Sequence, residues 1–483
     1  MESNLPTDTD YLSFIKSTID EDQSHVHVMV IFGASGDLAK KKTYPSVWWL
    51  YRDGLLPPKT YFIGYARSNM TVEKIRAQSE PKFNLATSHS ELVSRFWANN
   101  FYIQGDYTDP DGFIKLDQFI REKWGQGVNR IFYFAIPPTV YAPVSKNVRE
   151  HCMPSSDDVW VRLIIEKPFG NDLASSNVLS EHLSNLFNES QIYRIDHYLG
   201  KEMVQNLTIL RFSNEVLHAL WNREHIHNVT ITFKEPFGTE GRGGYFDSFG
   251  IIRDVVQNHL MQILSLVAME EPKSFDADDI RDEKVKVLRF VEPIRMEDVV
   301  IGQYVANPQI PDSQSYTDDP TVPKGSITPT YVCMILHINN DRWRGVPFVI
   351  RAGKALNERK AEVRIQFKGS SSKLFNRYNA PRNDLVMRVQ PDEAVYHIKL
   401  PDAYERLILD VFCGSQTNFV RRDELQEAWR ILTPILEELE QKRVTPFPYT
   451  FGSRDGPDAA NELRMRAGYV YSGRYSYPSI RTS

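Results

Sequence analysis

The stretch Val30-Ile31-Phe32-Gly33-Ala34-Ser35-Gly36-Asp37-Leu38-Ala39-Lys40-Lys41-Lys42 decides the fold class. It ends an apolar run, Val26 to Phe32, that reads as a buried strand, and it opens a helix over Lys40 to Tyr51. Glycine at such a turn lets the backbone approach a pyrophosphate, whose charge is met by N–H groups at the helix start. The spacing is Gly-x-x-Gly, not the fuller Gly-x-Gly-x-x-Gly, so the segment alone also fits a plain glycine turn into a helix. Working outward, Tyr61 to Tyr65, Arg130 to Ile136 and Val161 to Glu166 read as further strands, and Thr71 to Ser79 as a helix. Strands separated by helices imply a doubly wound parallel sheet of the Rossmann type, with its ligand beyond the strand C-ends. Those ends are Gly33, Arg67, Pro137 and Lys167. NAD sites place an acidic residue after the second strand, and an arginine there accommodates a 2′-phosphate. Arg67, with Lys42, therefore favours NADP, against the plainer reading of a solvated arginine.

Beyond about Asp196 the texture changes. A helix over Lys201 to Leu210 is followed by strand-like runs at His227 to Phe233, Val300 to Tyr304, Tyr331 to Ile338, Val363 to Phe367 and Leu385 to Val389. Two strong helices, Gly250 to Ala268 and Asp423 to Glu440, fall among and after them. Strands in succession favour a larger α+β domain with a mainly antiparallel sheet. The expected organisation is a flexible arm over 1–24, an NADP-binding domain over 25–195 and a substrate-binding and dimerisation domain over 196–483. From Pro446 onward the chain is rich in Pro, Gly, Tyr and Arg and reads as an extended tail.

Charge and cysteine content narrow the function. Lys and Arg number 57 against 62 Asp and Glu, a formal net charge of −5, which argues against general nucleic-acid binding. No apolar run approaches a membrane span. The segment Met1 to Gln23 lacks the basic-then-apolar layout of a signal peptide, so a cytosolic enzyme is expected. Cys152, Cys333 and Cys413 are too few and too dispersed for a disulfide framework or a zinc site, and no metal is expected.

Two strings carry candidate chemistry. In Arg194-Ile195-Asp196-His197-Tyr198-Leu199-Gly200-Lys201-Glu202, a helix starting near Asp196 would put His197 and Lys201 on one face. With Tyr198 and the helix start they would form an anion site suited to a phosphate, the alternative being a capped helix start with an exposed lysine. In Ile251-Ile252-Arg253-Asp254-Val255-Val256-Gln257-Asn258-His259, α-helical spacing puts His259 on the face of Val255 and Ile252, pointing inward. A lone inward histidine is most often a core residue. A carboxylate to orient it changes that, and Asp196 is the candidate, because a His–Asp pair can take a hydroxyl proton near neutral pH.

The chain resembles the glucose-6-phosphate dehydrogenase family from Val28 to the C-terminal tail. The resemblance rests on Gly33-Ala34-Ser35-Gly36-Asp37-Leu38, Glu166-Lys167-Pro168-Phe169-Gly170, Arg194 to Glu202, Lys234-Glu235-Pro236-Phe237-Gly238, Gly250 to His259 and Arg351-Ala352-Gly353-Lys354-Ala355-Leu356. The Arg194 to Glu202 string is specific, whereas other Rossmann oxidoreductases share the glycine loop and the Glu-Lys-Pro triplet. The resemblance implies oxidation of D-glucose 6-phosphate to 6-phospho-D-glucono-1,5-lactone with reduction of NADP+, the first step of the oxidative pentose phosphate pathway. By carry-over, His259, oriented by Asp196, takes the C1 hydroxyl proton. His197, Tyr198 and Lys201 hold the phosphate, with Lys354 and Arg359 nearby, and Lys167, Glu235, Asp254 and Gln390 meet sugar hydroxyls. Gly33, Ala34, Ser35, Gly36, Asp37, Leu38, Ala39, Lys40, Lys42, Arg67, Tyr141 and Lys167 meet the coenzyme. A homodimer or homotetramer is implied, with no nucleic-acid or membrane partner.

The resemblance also implies a second, non-catalytic NADP site near a dimer interface. Its candidates are Thr232, Lys234, Arg351, Lys360, Arg364, Arg388, Tyr396, Arg454, Tyr471 and Tyr477, with tyrosine at 477 where the family leads one to expect tryptophan. One departure stands out. The family pattern runs through Tyr396-His397 and resumes at Lys399-Leu400, so an internal stretch of strand and loop is expected to be missing, with a cost in stability. The competing readings are an NADPH-binding sensor without turnover and an oxidoreductase of unphosphorylated sugars. The candidate catalytic residues argue against the first, and the cluster His197, Tyr198 and Lys201 against the second.

Overall fold

The computed structural model describes residues 25–83, 85, 89–156, 158–369, 383–390 and 402–470. The expected arm over 1–24, the break at 396–400 and the candidates Tyr396, Tyr471 and Tyr477 lie outside the described residues. The chain divides into two compact units. The first comprises Met1–Lys201, Lys273–Arg281 and Tyr396–Gln426, and the second comprises Glu202–Pro272, Asp282–Val395 and Glu427–Ser483.

The first unit is built on β1 (Val26–Phe32), β2 (Thr60–Ala66), β3 (Asn100–Gln104), β4 (Val128–Phe134), β5 (Val161–Ile165) and β6 (Ile192–Arg194). They form one parallel sheet in the order β3-β2-β1-β4-β5-β6. This is the doubly wound order, reversing beside β1, so the crevice at the C-ends of β1 and β4 is where a dinucleotide binds. β4 is buried along its whole length, as a strand covered on both faces must be. On one side the core joins Met29, Ile31 and Phe62 to Trp48, Phe83, Phe96 and Trp97. It is completed by Leu407, Ile408, Val411 and Phe412 of helix Ala403–Cys413. That helix begins in a capping box between Asp402 and Glu405 and ends at left-handed Gly414.

The second unit carries β7 (Ile226–Lys234), β8 (Val299–Val305), β9 (Tyr331–His337), β10 (Pro347–Gly353), β11 (Lys360–Phe367), β12 (Asp384–Gln390) and β13 (Phe447–Thr450). Their order is β12-β11-β7-β10-β9-β8-β13. Pairing is mainly antiparallel, with β7–β10 and β8–β13 parallel. The parallel pairing of β7 with β10 brings the ends of both strands to the same edge. The tail is not an extended strap throughout: after β13, Asp458–Arg466 forms a helix. Ala, Glu, Leu, Met and Arg in that run are helix formers, and the surrounding Pro and Gly mask them in the composition. Among the described residues no helix is long and apolar enough to cross a membrane.

Candidate active site

The nucleotide crevice begins at Gly33, whose φ is +82°. A Cβ there would overlap the carbonyl oxygen of Ala135, so only glycine lets the turn pass this close to the end of β4. The Gly33 and Ala34 N–H groups both donate to the Tyr65 carbonyl, at 2.9 and 3.3 Å, which ties the loop to β2. Gly36 N–H then donates to the Gly33 carbonyl at 2.8 Å, and helix begins at Asp37. Ala39–Thr43 takes π-helical form before α-helix Tyr44–Arg52. Such widened turns occur frequently at functional sites. Ser35 Oγ lies 3.3 Å from Ser68 Oγ, and exposed Lys41 and Asp37 pair at 2.7 Å. Arg67 is exposed just past β2, its guanidinium 5.5 Å from the Tyr107 ring. The closed glycine turn and this arginine fit a dinucleotide with a 2′-phosphate.

Tyr141 opens the helix Tyr141–His151. Its ring is fully buried and its hydroxyl donates to the Glu166 carbonyl at 2.7 Å. It therefore fixes the strand end that presents Lys167, whose peptide bond to Pro168 is cis. The Glu166 carboxyl accepts from the Tyr133 hydroxyl at 2.6 Å, and burial pushes its pKa up to about 7.

Asp196 to Lys201 is not the first turn of a helix. The helix starts at Glu202, and the preceding residues form linked turns. Leu199 N–H donates to the Asp196 carbonyl, Lys201 N–H to the Tyr198 carbonyl, and Tyr198 N–H to Asp196 Oδ1 at 3.0 Å. Aspartate competes for backbone N–H groups in this way, which favours a turn over a helix. His197 and Lys201 thus do not share a helix face, but the turns still gather them about Tyr198. The His197 ring is 5.1 Å from the Tyr198 ring, and Lys201 Nζ is 5.4 Å from it. A Cβ at Gly200 would overlap the Ala403 carbonyl, so the turn packs directly on helix Ala403–Cys413. That packing delivers Tyr404, which the sequence reading missed. Its ring stacks on His197 at 5.7 Å and 9°, and Lys42 Nζ sits 5.9 Å from it. The signal was the Asp402–Glu405 capping box, which fixes where the helix starts.

In the second unit, β7 ends at Lys234 and β10 at Gly353, in register with one another. Glu235 and Lys354 follow them and pair at 2.5 Å, with Lys354 Nζ also 5.3 Å from the Phe246 ring. Gln390 closes β12 opposite Ala361, and Arg359 is exposed just before β11. Asp254 and His259 lie on the expected long helix, but Ile252–Leu260 is π-helical. His259 is buried, 3 % exposed, as its apolar neighbours suggested, although by a wider turn than α-helical spacing assumes.

Sheet register also gathers second-site candidates. Arg351, Thr232, Glu362 and Arg388 stand side by side across β10, β7, β11 and β12. Lys234 and Lys360 are cross-strand partners two residues along, and Arg364 lies two residues the other way, so all share one face. Their charges are largely met inside the protein. Arg351 pairs with Asp455 at 3.0 Å, Lys360 with Glu362 at 2.8 Å, Arg364 with Asp384 at 2.7 Å and Lys234 with Glu358 at 3.2 Å. Burial lowers the Lys234 pKa to about 8. Arg454 is half exposed beside Asp455.

A doubly wound sheet with a glycine cradle and an arginine after its second strand defines a dinucleotide-binding α/β protein. The family model for the glucose-6-phosphate dehydrogenase NAD binding domain matches residues 30–206, and that for the C-terminal domain matches 208–400 and 394–472. The chain belongs to the glucose-6-phosphate dehydrogenase family. It is 53 % identical to a glucose-6-phosphate 1-dehydrogenase of Takifugu rubripes, over 94 % of this chain and 91 % of the relative. It is 54 % identical to one of Caenorhabditis elegans, over 93 % of each. A solved glucose-6-phosphate dehydrogenase in complex with its substrate glucose-6-phosphate superposes with TM-score 0.87 at 43 % identity, covering 93 % of this chain and 99 % of that one. The Mycobacterium avium glucose-6-phosphate 1-dehydrogenase structure gives 0.81 at 33 % identity, covering 94 % and 99 %. The C-terminal model matches in two pieces that meet over 394–400, where the sequence pattern breaks.

Proposed function

We propose that the chain oxidises D-glucose 6-phosphate to 6-phospho-D-glucono-1,5-lactone and reduces NADP+ to NADPH. The observation that carries this reading is the match to both family domains across residues 30–472, at identities above half to named dehydrogenases. NADP+ supplies the hydride acceptor, and the turn from Gly33 to Lys40 with Lys42, Arg67, Tyr141 and Lys167 would hold it. His259 accepts the C1 hydroxyl proton on its ring nitrogen, and Asp196 orients the imidazole and stabilises its charged form. His197, Tyr198 and Lys201, with Lys354 and Arg359, hold the phosphate, and Lys167, Glu235, Asp254 and Gln390 meet the sugar hydroxyls. Tyr404 supports the phosphate group by stacking on His197. Fixing both reactants beside one base accounts for most of what the protein must contribute. The enzyme acts in the cytosol as a homodimer or homotetramer.

The sheet face bearing Arg351, Thr232 and Arg388 supports a second, non-catalytic NADP site. The break over 394–400 supports an internal stretch missing beside that face.

The test is NADPH formation, followed by absorbance with glucose 6-phosphate and NADP+ supplied. His259→Asn should lower kcat by about 10²–10⁴-fold, the usual worth of a general base, with substrate binding kept. Near-normal turnover in that variant would remove His259 from the reaction.

A further inference from the structure

The turn that carries His259 is held open by a neighbouring side chain. From Ile252 to Leu260 the helix has π-helical form, and at its end the Met261 N–H is shared between the Asn258 and Val256 carbonyls. Each α-helical residue advances the chain by about 100°, so a widened segment re-aims every side chain after it. π-helix is rare beyond a single turn, so something local must favour nine residues of it here. The Asn258 amide bridges the turn at both of its ends. Nδ2–H donates to the Arg253 carbonyl at 3.1 Å, and Oδ1 accepts the His259 N–H at 2.8 Å. The Arg253 carbonyl is the one that the Asn258 N–H would meet in an i→i−5 ladder, so the side chain reinforces that rung. Arg253 is anchored in turn by Glu440, 2.6 Å from its guanidinium. Asn258 is buried, and a buried polar group stripped of its partner costs about 1–3 kcal/mol. Neither bond is given up easily.

We infer that Asn258 is a positioning residue: its amide fixes the wide turn and so the direction from which the His259 imidazole meets the C1 hydroxyl. The inference rests on the reading of His259 as the general base. The Asn258 amide does not ionise at neutral pH and acts through its neighbour.

The test compares Asn258→Ala, Asn258→Leu and Asn258→Asp with the parent and with His259→Asn, in the full-length enzyme. Alanine and leucine remove both bonds. For these, kcat should fall about 10- to 10²-fold, as expected of a base about 1 Å out of place. KM for both substrates should stay within about threefold. The chemical step, in which the C1 hydride leaves as the base takes the hydroxyl proton, then limits turnover more fully, so the deuterium isotope effect on kcat with C1-deuterated glucose 6-phosphate should rise. Aspartate keeps the acceptor for the His259 N–H but sets a carboxylate oxygen against the Arg253 carbonyl, and its kcat should fall between the other two and the parent. A kcat within about twofold of the parent in the alanine and leucine variants overturns the inference. So does a parallel loss of kcat, both KM values and melting temperature with an unchanged isotope effect, which marks a merely structural residue. If the alanine and leucine variants do not fold, the aspartate variant decides: reduced kcat with a raised isotope effect supports positioning, and parental values overturn it. If His259→Asn keeps turnover, it is the base assignment that has failed. If it loses turnover while Asn258→Ala keeps it, only the positioning inference has failed.

Discussion

Glu166 sits almost wholly out of water, and that burial outweighs the Tyr133 hydroxyl and the Lys167 charge that favour its ionised form, while Asp196 adds to the upward push. Its pKa rises from 4.5 to about 7. A group raised in the folded state stabilises it fully below the unfolded value, and that contribution is lost as pH climbs through the folded value. The parent should therefore lose stability relative to Glu166→Gln as pH rises from about 4.5 to about 7, by on the order of 3 kcal/mol, read by urea unfolding at each pH. A gap independent of pH would mean the carboxyl ionises as it does in water. Arg67 gives the second test at this scale. Its exposure just past β2 suits the 2′-phosphate that distinguishes NADP from NAD. Arg67→Ala should raise KM for NADP+ at least about tenfold and leave that for NAD+ nearly unchanged, since a charge-assisted hydrogen bond is worth about 1.5–3 kcal/mol. Equal losses for the two coenzymes would return Arg67 to the solvated surface. Residue types and spacing made Arg67, His197, Lys201 and His259 candidates in the sequence. That the Tyr141 hydroxyl serves the Glu166 carbonyl was out of reach, because such a bond depends on burial and on which strand end lies beside the ring.

At the scale of elements, strands were easiest to read where burial on both faces writes a continuous apolar run. β1 was expected over Val26 to Phe32 and lies there. Short β6 and mixed-polarity β3 gave no such run. The two π-helical stretches were out of reach, because an apolar pattern four or five residues apart fits either geometry over so short a length. The aspartate that turned the expected helix start into linked turns was visible, but its side chain could have served as an N-cap just as well. The glycine turn is an element whose conformation and clearance both demand glycine. Gly33→Ala would place a methyl into the Ala135 carbonyl at a φ of +82°, adding a left-handed cost of about 1–2 kcal/mol to the overlap. The loop must back away from β4. KM for NADP+ should rise by at least about tenfold, with kcat at saturation less affected, since on the proposed reading the cradle would meet the coenzyme's phosphates and not the reacting carbon. An unchanged KM would show that the coenzyme does not need this close approach.

At the scale of the whole molecule, sequence order hides what completes each unit. Helix Ala403–Cys413 seals the core of a sheet whose last strand ends at Arg194, and local periodicity does not report so distant a partner. The same holds for the cation row, whose members come from β7, β10, β11 and β12 and are joined only by register. Any ligand that binds the folded state alone stabilises it, by about 2.7 kcal/mol at a free concentration a hundredfold above its Kd, and independent sites add their terms. A crevice and an occupied sheet face would therefore contribute separately to the NADP+-dependent rise in stability. Arg388 belongs to the face and not to the crevice. It also lies on the strand just before the break in the family match, where a missing stretch would weaken the site most. Because neighbouring cations are already committed to Glu362, Asp384 and Asp455, the face has little positive charge to spare. Removing one more arginine should matter. Arg388→Ala should abolish one of the two contributions, about half of the NADP+-induced stabilisation measured by thermal unfolding over a coenzyme titration, with kcat and KM for NADP+ unchanged. If the stabilisation stays whole, all of it arises in the crevice and the sheet face holds no nucleotide.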